Sequence, residues 1–278
     1  MEITFHPAPA KLNLFLHVLG RREEGEYAGY HELQTVFRLI DRNDRVGVAP
    51  RGDGQIRYSG VFGEESLCVK AARLLKAQTG SPMGCDLSLE KNIPVGGGLG
   101  GGSSDAATAL LVLNRLWGLN LGRSQLVDLA ARLGADVPLF VFGRNALGEG
   151  FGERLEALEL PPAWYLVLEP QVSVSTKEIF QGALTGDGKR LKIPPFFPGQ
   201  GKNDLEPVVT ARYPAVAAHL AWLKSRCPQA RMTGSGACVF AEVQTESEAR
   251  SLQAQLPDTM RGFVARGLEQ HPLCDWVT

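Results

Sequence analysis

Long apolar runs are absent from this chain of 278 residues. Stretches such as Ala109–Leu113 and Val137–Phe142 are as long as they get, far short of the roughly 20 residues that cross a bilayer, so no membrane partner is expected. The opening Met1–Pro7 carries no basic stretch, and Pro7, Pro9 and Lys11 break the next apolar segment, so it does not read as a secretory signal. Cysteine is scarce: Cys68, Cys85, Cys227, Cys238 and Cys274 are odd in number, widely spaced and form no C-x-x-C pair. That pattern argues against a disulfide framework and a zinc site, and points to free thiols in a reducing, cytoplasmic compartment. An excess of either charge is also missing, with 29 Lys and Arg against 30 Asp and Glu. Without a basic run there is no field to track a phosphate backbone, so nucleic acid is not an expected partner. Nothing in the chain points to an obligate protein partner.

Glycine, by contrast, is abundant and concentrated. The length suits one large domain or two small ones, and Pro161-Pro162 marks a candidate boundary, giving units of 1–160 and 161–278. Leu12, Leu14, Leu16 and Val18 alternate with Lys11, Asn13, Phe15 and His17, which predicts a strand with Lys11 and Asn13 on one functional face. Short strands are expected over 45–60 and a helix over 64–78. A strand near Leu87 and Leu89 ends before Pro94. Ser124 is the expected cap of a helix that closes at a left-handed Gly134. Helices and strands interleave without a βαβ rhythm, so the class is α+β.

Between the Leu89 strand and an apolar helix lies Gly96-Gly-Gly-Leu-Gly-Gly-Gly102, followed by Ser103-Ser104-Asp105. Such a loop reaches positive φ and approaches a ligand closely, and the helix behind it presents its positive end, so together they suit a phosphate. Ser103 and Ser104 either cap the helix or offer hydroxyls to phosphate and Mg²⁺. A Walker A loop is excluded because Gly102 stands where lysine is required, and a dinucleotide fingerprint lacks its ribose-binding acid. For a nucleoside triphosphate the positive side chain must come from elsewhere.

Three ordered motifs, Pro9-Ala-Lys11-Leu-Asn13-Leu14, Pro94-Val95-Gly96 through Ser104, and Thr233-Gly-Ser-Gly-Ala237, resemble those of the GHMP kinase superfamily. Gly29–Phe37, Leu133–Pro138 and Asn203–Glu206 resemble, more narrowly, the branch that acts on a cytidine-diphosphate-linked methylerythritol. The resemblance runs from residue 9 to about residue 240. It implies a two-lobed fold of helix-covered sheets with the site in the cleft between lobes, and transfer of the ATP γ-phosphoryl group to a substrate hydroxyl.

By the same resemblance, Asp136 accepts the hydroxyl proton and Lys11 orients that carboxylate. Pro94, Val95, Gly96, Gly97, Gly98, Leu99, Gly100, Gly101, Gly102, Ser103 and Ser104 hold ATP with Mg²⁺, and Lys91 is an adenine or phosphate neighbour. Tyr30 and Phe180 flank the cytosine, His31 meets its edge, and Asn13 and Thr176 lie near the sugar alcohol. Read alone, Asp136 before Val-Pro is also a turn former, and Tyr30 and Phe180 also suit a core. Asp105 has no assigned role. Gly234-Ser235-Gly236 is either a close backbone approach or a hairpin turn, and Glu149–Glu153 is a weaker candidate border of the substrate groove. Competing readings are a mevalonate-type kinase, a nucleotide-binding regulator without catalysis, and an NAD-dependent dehydrogenase.

Overall fold

The computed structural model describes residues 2–21, 24, 31–181, 190–191, 193 and 199–277. Two long alternating segments at the N-terminus build its frame: β1 (Thr4–Arg21) and β2 (His31–Arg51) run antiparallel along their whole length. After β3 (Ile56–Ser59) and α1 (Leu67–Thr79), β4 (Gly84–Glu90) pairs with Arg45–Arg51 of β2 on one side and β3 on the other. The glycine loop leads into α2 (Gly101–Leu116), followed by α3 (Arg123–Ala131) and α4 (Val137–Phe142). β5 (Ala146–Gly150) pairs with Leu33–Phe37 of β2, and β6 (Arg154–Ala157) completes a six-stranded sheet.

The second half starts at β7 (Trp164–Leu168), then α5 (Thr176–Gln181), α6 (Glu206–Arg212) and α7 (Pro214–Lys224). β8 (Arg231–Met232), β9 (Val239–Val243), α8 (Glu246–Gln253) and β10 (Gly262–Arg266) complete it. The sheet order is β10-β7-β9-β8, antiparallel throughout. Two sheets carrying helices are the α+β architecture expected from the sequence.

The core explains why these elements meet. Every residue of α2 from Ser104 to Asn114 is buried. Ala106, Ala107 and Ala109 keep that helix thin enough to pack on α1 and the first sheet at once. A separate apolar cluster joins Leu12, Phe15 and Val36 of the first sheet to Tyr165, Val167 and Phe240 of the second. Hence Ala8–Val18 is buried on both faces, rather than showing one open face as its alternation suggests. Burial also merges most of the short strands expected over 45–60 into β2, because β1 and β4 flank it on both edges.

At both helix starts a glycine, not the expected serine, stands at the N-cap. Gly100, with φ 72°, occupies the N-cap of α2, so Ser103 and Ser104 fall inside the first turn and cap nothing. Gly122, not Ser124, precedes α3, and its N–H is taken by the Gln125 side chain. Gly134 is not left-handed. Its carbonyl instead accepts the Val137 N–H, and that tight turn delivers Asp136 at the head of α4.

Candidate active site

A cleft of about 450 Å³ is lined from both halves of the chain: Lys11, Asn13 and Thr35 on one wall, Thr176, Phe180 and Ser235 on the other, and the glycine loop as floor. The loop is fixed through its carbonyls. Leu99 O accepts from Lys11 N at 3.0 Å, Gly96 O from Ala237 N at 3.3 Å, and Gly97 O from Cys238 N at 3.1 Å. Its glycines are sterically required where it crosses the Thr233–Gly236 segment. Gly98 has φ 76°, and a side chain there would run into the Thr233 carbonyl and come within 3.0 Å of Gly236 O. Thr233–Gly236 is therefore a close backbone approach. The first N–H groups of α2 have no partner within the helix and form the positive end of its dipole, which suits this floor to an anion.

Lys11 is 3% exposed and its Nζ lies 3.4 Å from Asp136 Oδ2 and 2.5 Å from Asn13 Oδ1. Asp136 is 36% exposed and caps no helix N–H, so its carboxylate is available to the cleft. Asn13 donates through Nδ2 to Thr35 Oγ1 at 2.8 Å, and its backbone N–H donates to Thr233 Oγ1 at 2.9 Å. Opposite, the hydroxyls of Thr176 and Ser235 lie 2.7 Å apart. The His31 ring does not line the cleft but sits 5.5 Å from the Phe180 ring, which does. Burial, and next the charge of Arg21, hold the His31 imidazole below its ordinary range, which favours a neutral ring able to donate and accept. Tyr30 lies outside the described residues. Phe151 and Gly152 also border the cleft, a role that their sequence indicates only weakly.

Residues 66–144 match the GHMP kinases N terminal domain and 195–262 the GHMP kinases C terminal domain. Over 278 aligned residues the chain is 58% identical to the 4-diphosphocytidyl-2-C-methyl-D-erythritol kinase of Nitrosospira multiformis, covering 98% of this chain and 93% of that one. It is 57% identical to the enzyme of that name from Thiobacillus denitrificans, covering 98% of each. The chain belongs to the 4-diphosphocytidyl-2-C-methyl-D-erythritol kinase family. A crystal structure of 4-(cytidine 5'-diphospho)-2C-methyl-D-erythritol kinase superposes with a TM-score of 0.83 at 34% identity, over 95% of this chain and 99% of that one. A mevalonate kinase from Methanococcus jannaschii, 13% identical with a TM-score of 0.69, shares the fold.

Within this kinase family member, Lys91 has a setting the sequence did not reveal. It lines the cleft, yet its ammonium is bonded to Asp44 and, at 2.8 Å, to Asp105 Oδ2. Asp44 is fully buried and also accepts the N–H groups of Asn92 at 2.6 Å and Ile93 at 2.8 Å. Asp105 has fewer donors: its Oδ1 is buried without a partner. One cation thus serves two buried carboxyls. Burial works against the Lys91 charge, but the two acids outweigh it and hold it above the usual lysine range. For Asp105, burial is the largest influence and Lys91 only partly opposes it, so that carboxyl is pushed up to about 7.

Proton linkage gives the sign of the consequence. The fold favours protonated Asp105, so the folded chain holds a proton that the unfolded chain releases near pH 4, and stability falls as pH rises from about 4 to about 7. Asp105→Asn leaves one cation to one carboxylate. It is expected to unfold at a higher temperature than wild type at pH 8, with the advantage shrinking as pH is lowered from 7 towards 4. Thermal unfolding at pH 8 and pH 5 measures it; equal differences at both would remove Asp105 as the titrating group.

Proposed function

We propose that the chain transfers the γ-phosphoryl group of ATP to the 2-hydroxyl of 4-diphosphocytidyl-2-C-methyl-D-erythritol, releasing ADP. The observation that carries this is one cleft in which an open carboxylate, Asp136, and a buried ammonium, Lys11, stand over an anion-binding glycine floor. Phosphoryl transfer needs little covalent help from protein; it needs alignment of the reactants and charge opposite the transferring oxygens. The floor at Gly96–Ser103 and the start of α2 supply donors for the phosphates. Asp136 takes the proton as the hydroxyl oxygen bonds to the γ-phosphorus and the bond to the β-phosphate oxygen breaks. Lys11 has three N–H donors; one meets Asn13, and with Asp136 ion-paired at 3.4 Å the others remain to serve an oxygen of the reacting group.

The donor set beside the floor suits a Mg²⁺ that arrives with the nucleotide, since that ion takes one or two protein ligands besides phosphate oxygens. Ser103 lines the cleft, so its hydroxyl would meet the ion; Ser104, expected from the sequence beside it, is fully buried inside α2 and does not reach the cleft. Bound there, Mg²⁺ would neutralise phosphate charge.

Phe180 and Thr176 on α5, with His31 beside Phe180, form the end suited to a pyrimidine. Stacking on an aromatic contributes about 1–3 kcal/mol without choosing the base, and the His31 ring supplies polar atoms for its edge. Tyr30 takes the other ring face in this reading, and Asn13 the sugar alcohol. We divide the chain at residue 160 into an ATP-side unit and a second unit. Five free thiols suit a cytoplasmic setting, and no helix of the described residues is long and apolar enough to cross a membrane.

The test is ATP consumption with Mg²⁺ in the presence of the cytidyl substrate, mevalonate, or buffer alone. Turnover with the cytidyl compound only is expected. Binding of ATP with turnover of neither compound would refute the assignment and favour a regulatory role.

A further inference from the structure

The amide of Asn13 has two possible orientations, and only one of them places Lys11. We propose that Thr35, a buried residue of β2, is a positioning residue that sets this orientation and so holds the Lys11–Asp136 pair in register for the transfer. The inference rests on the phosphoryl-transfer reading above.

Counting hydrogens fixes the orientation. A threonine hydroxyl has one hydrogen to donate, and that of Thr35 goes to the Phe15 carbonyl at 2.5 Å. A carbonyl can only accept, so Thr35 Oγ1 is left as an acceptor toward Asn13. The group of Asn13 that faces it at 2.8 Å is therefore the amide nitrogen. The amide oxygen is then turned the opposite way, toward Lys11 Nζ at 2.5 Å. Reversing the amide would set an NH₂ against an ammonium and an oxygen against an oxygen with no hydrogen left. Donation thus runs one way, from Lys11 to Asn13 to Thr35 to Phe15, while the same ammonium is ion-paired with Asp136.

The backbone builds this chain. In the β1–β2 ladder Asn13 stands opposite Phe37 and Phe15 opposite Val36, so Leu14 is an extra residue at a bulge. Bulges re-aim side chains next to active sites; this one brings both the Asn13 amide and the Phe15 carbonyl to Thr35. Lys11, Asn13 and Thr35 are all nearly inaccessible, at 3%, 3% and 1%, so bulk water does not substitute for a missing partner. Without the Asn13 oxygen, the ammonium keeps only its ion pair with Asp136 at 3.4 Å, a carboxylate partly open to solvent, among the described side chains.

Thr35→Val keeps the shape and removes the hydroxyl; Thr35→Ser keeps the hydroxyl. Steady-state kinetics with the cytidyl substrate should show kcat of the valine variant lowered on the order of 10²-fold, the cost of a small misplacement of a catalytic group. KM for ATP should stay near wild type and serine should restore most of kcat. Combined with Asp136→Asn, Thr35→Val should add little, because the two act as a unit. A valine variant within tenfold of wild type, a serine variant as impaired as valine, or full additivity with Asp136→Asn would overturn the proposal.

Unfolding temperatures of both variants separate loss of fold from loss of position. ¹⁵N-resolved exchange of the Asn13 side-chain amide in the wild type gives an independent readout, with one protected hydrogen expected and none overturning the inference. If wild type shows no turnover of the cytidyl compound while that hydrogen is protected, the functional reading fails and the hydrogen-bond chain stands.

Discussion

Asp136→Asn is expected to lower kcat by about 10²–10⁴, the usual span for loss of a general base, with KM for ATP and for the cytidyl substrate close to wild type. The amide is isosteric, and the carboxylate it replaces caps no helix N–H, so folding should be unaffected. What disappears is the proposed proton acceptor 3.4 Å from Lys11. In a loose transition state the hydroxyl gives up its proton late, so a well-placed weak base is sufficient and its placement matters most. A fall in kcat with unchanged KM identifies an interaction made only in the transition state. A variant that keeps more than a tenth of wild-type turnover would show that the hydroxyl needs no base here and that Asp136 merely orients it.

Lys91→Met is expected to act on the fold more than on ATP. The substitution leaves Asp44 and Asp105, both buried, facing each other without a cation. Breaking a buried pair in this way costs about 3–5 kcal/mol. At about 2–4 °C per kcal/mol for a chain of this size, unfolding should fall by roughly 10 °C. The loss should be smaller at pH 6 than at pH 8, because Asp105 takes up a proton more readily as pH falls below its value of about 7. Adding Asp105→Asn should recover part of it. If instead the unfolding temperature is unchanged and KM for ATP rises, Lys91 is primarily a nucleotide contact and the buried cluster contributes little.

Legibility in the sequence differs residue by residue. The glycine floor, Lys11, Asn13 and Asp136 lie in local motifs that the family resemblance singles out, and the cleft brings them together. Thr35 and Thr233 lie inside such motifs without a role of their own there, and Asp44 lies in none; a threonine or aspartate in a strand or loop has many ordinary roles. Their significance comes from partners far along the chain: Thr233 meets Asn13 across 220 positions and Asp44 meets Asn92 across 48. The helix starts depart from expectation for a related reason. Serine is the commoner cap, but a glycine already forced to positive φ by the loop starts α2 without one.

The interleaving of helices and strands was enough to give the α+β class, short-range glycine spacing pointed to a loop suited to phosphate, and motif resemblance singled out Lys11 and Asp136. The surroundings of those groups came from the folded chain alone. There Lys91 is held by two buried acids, Asp105 shares that lysine, and Thr35 fixes the Asn13 amide. Hydrogen-bond direction and desolvation are properties of what surrounds a side chain in space, and burial, not distance along the chain, sets both.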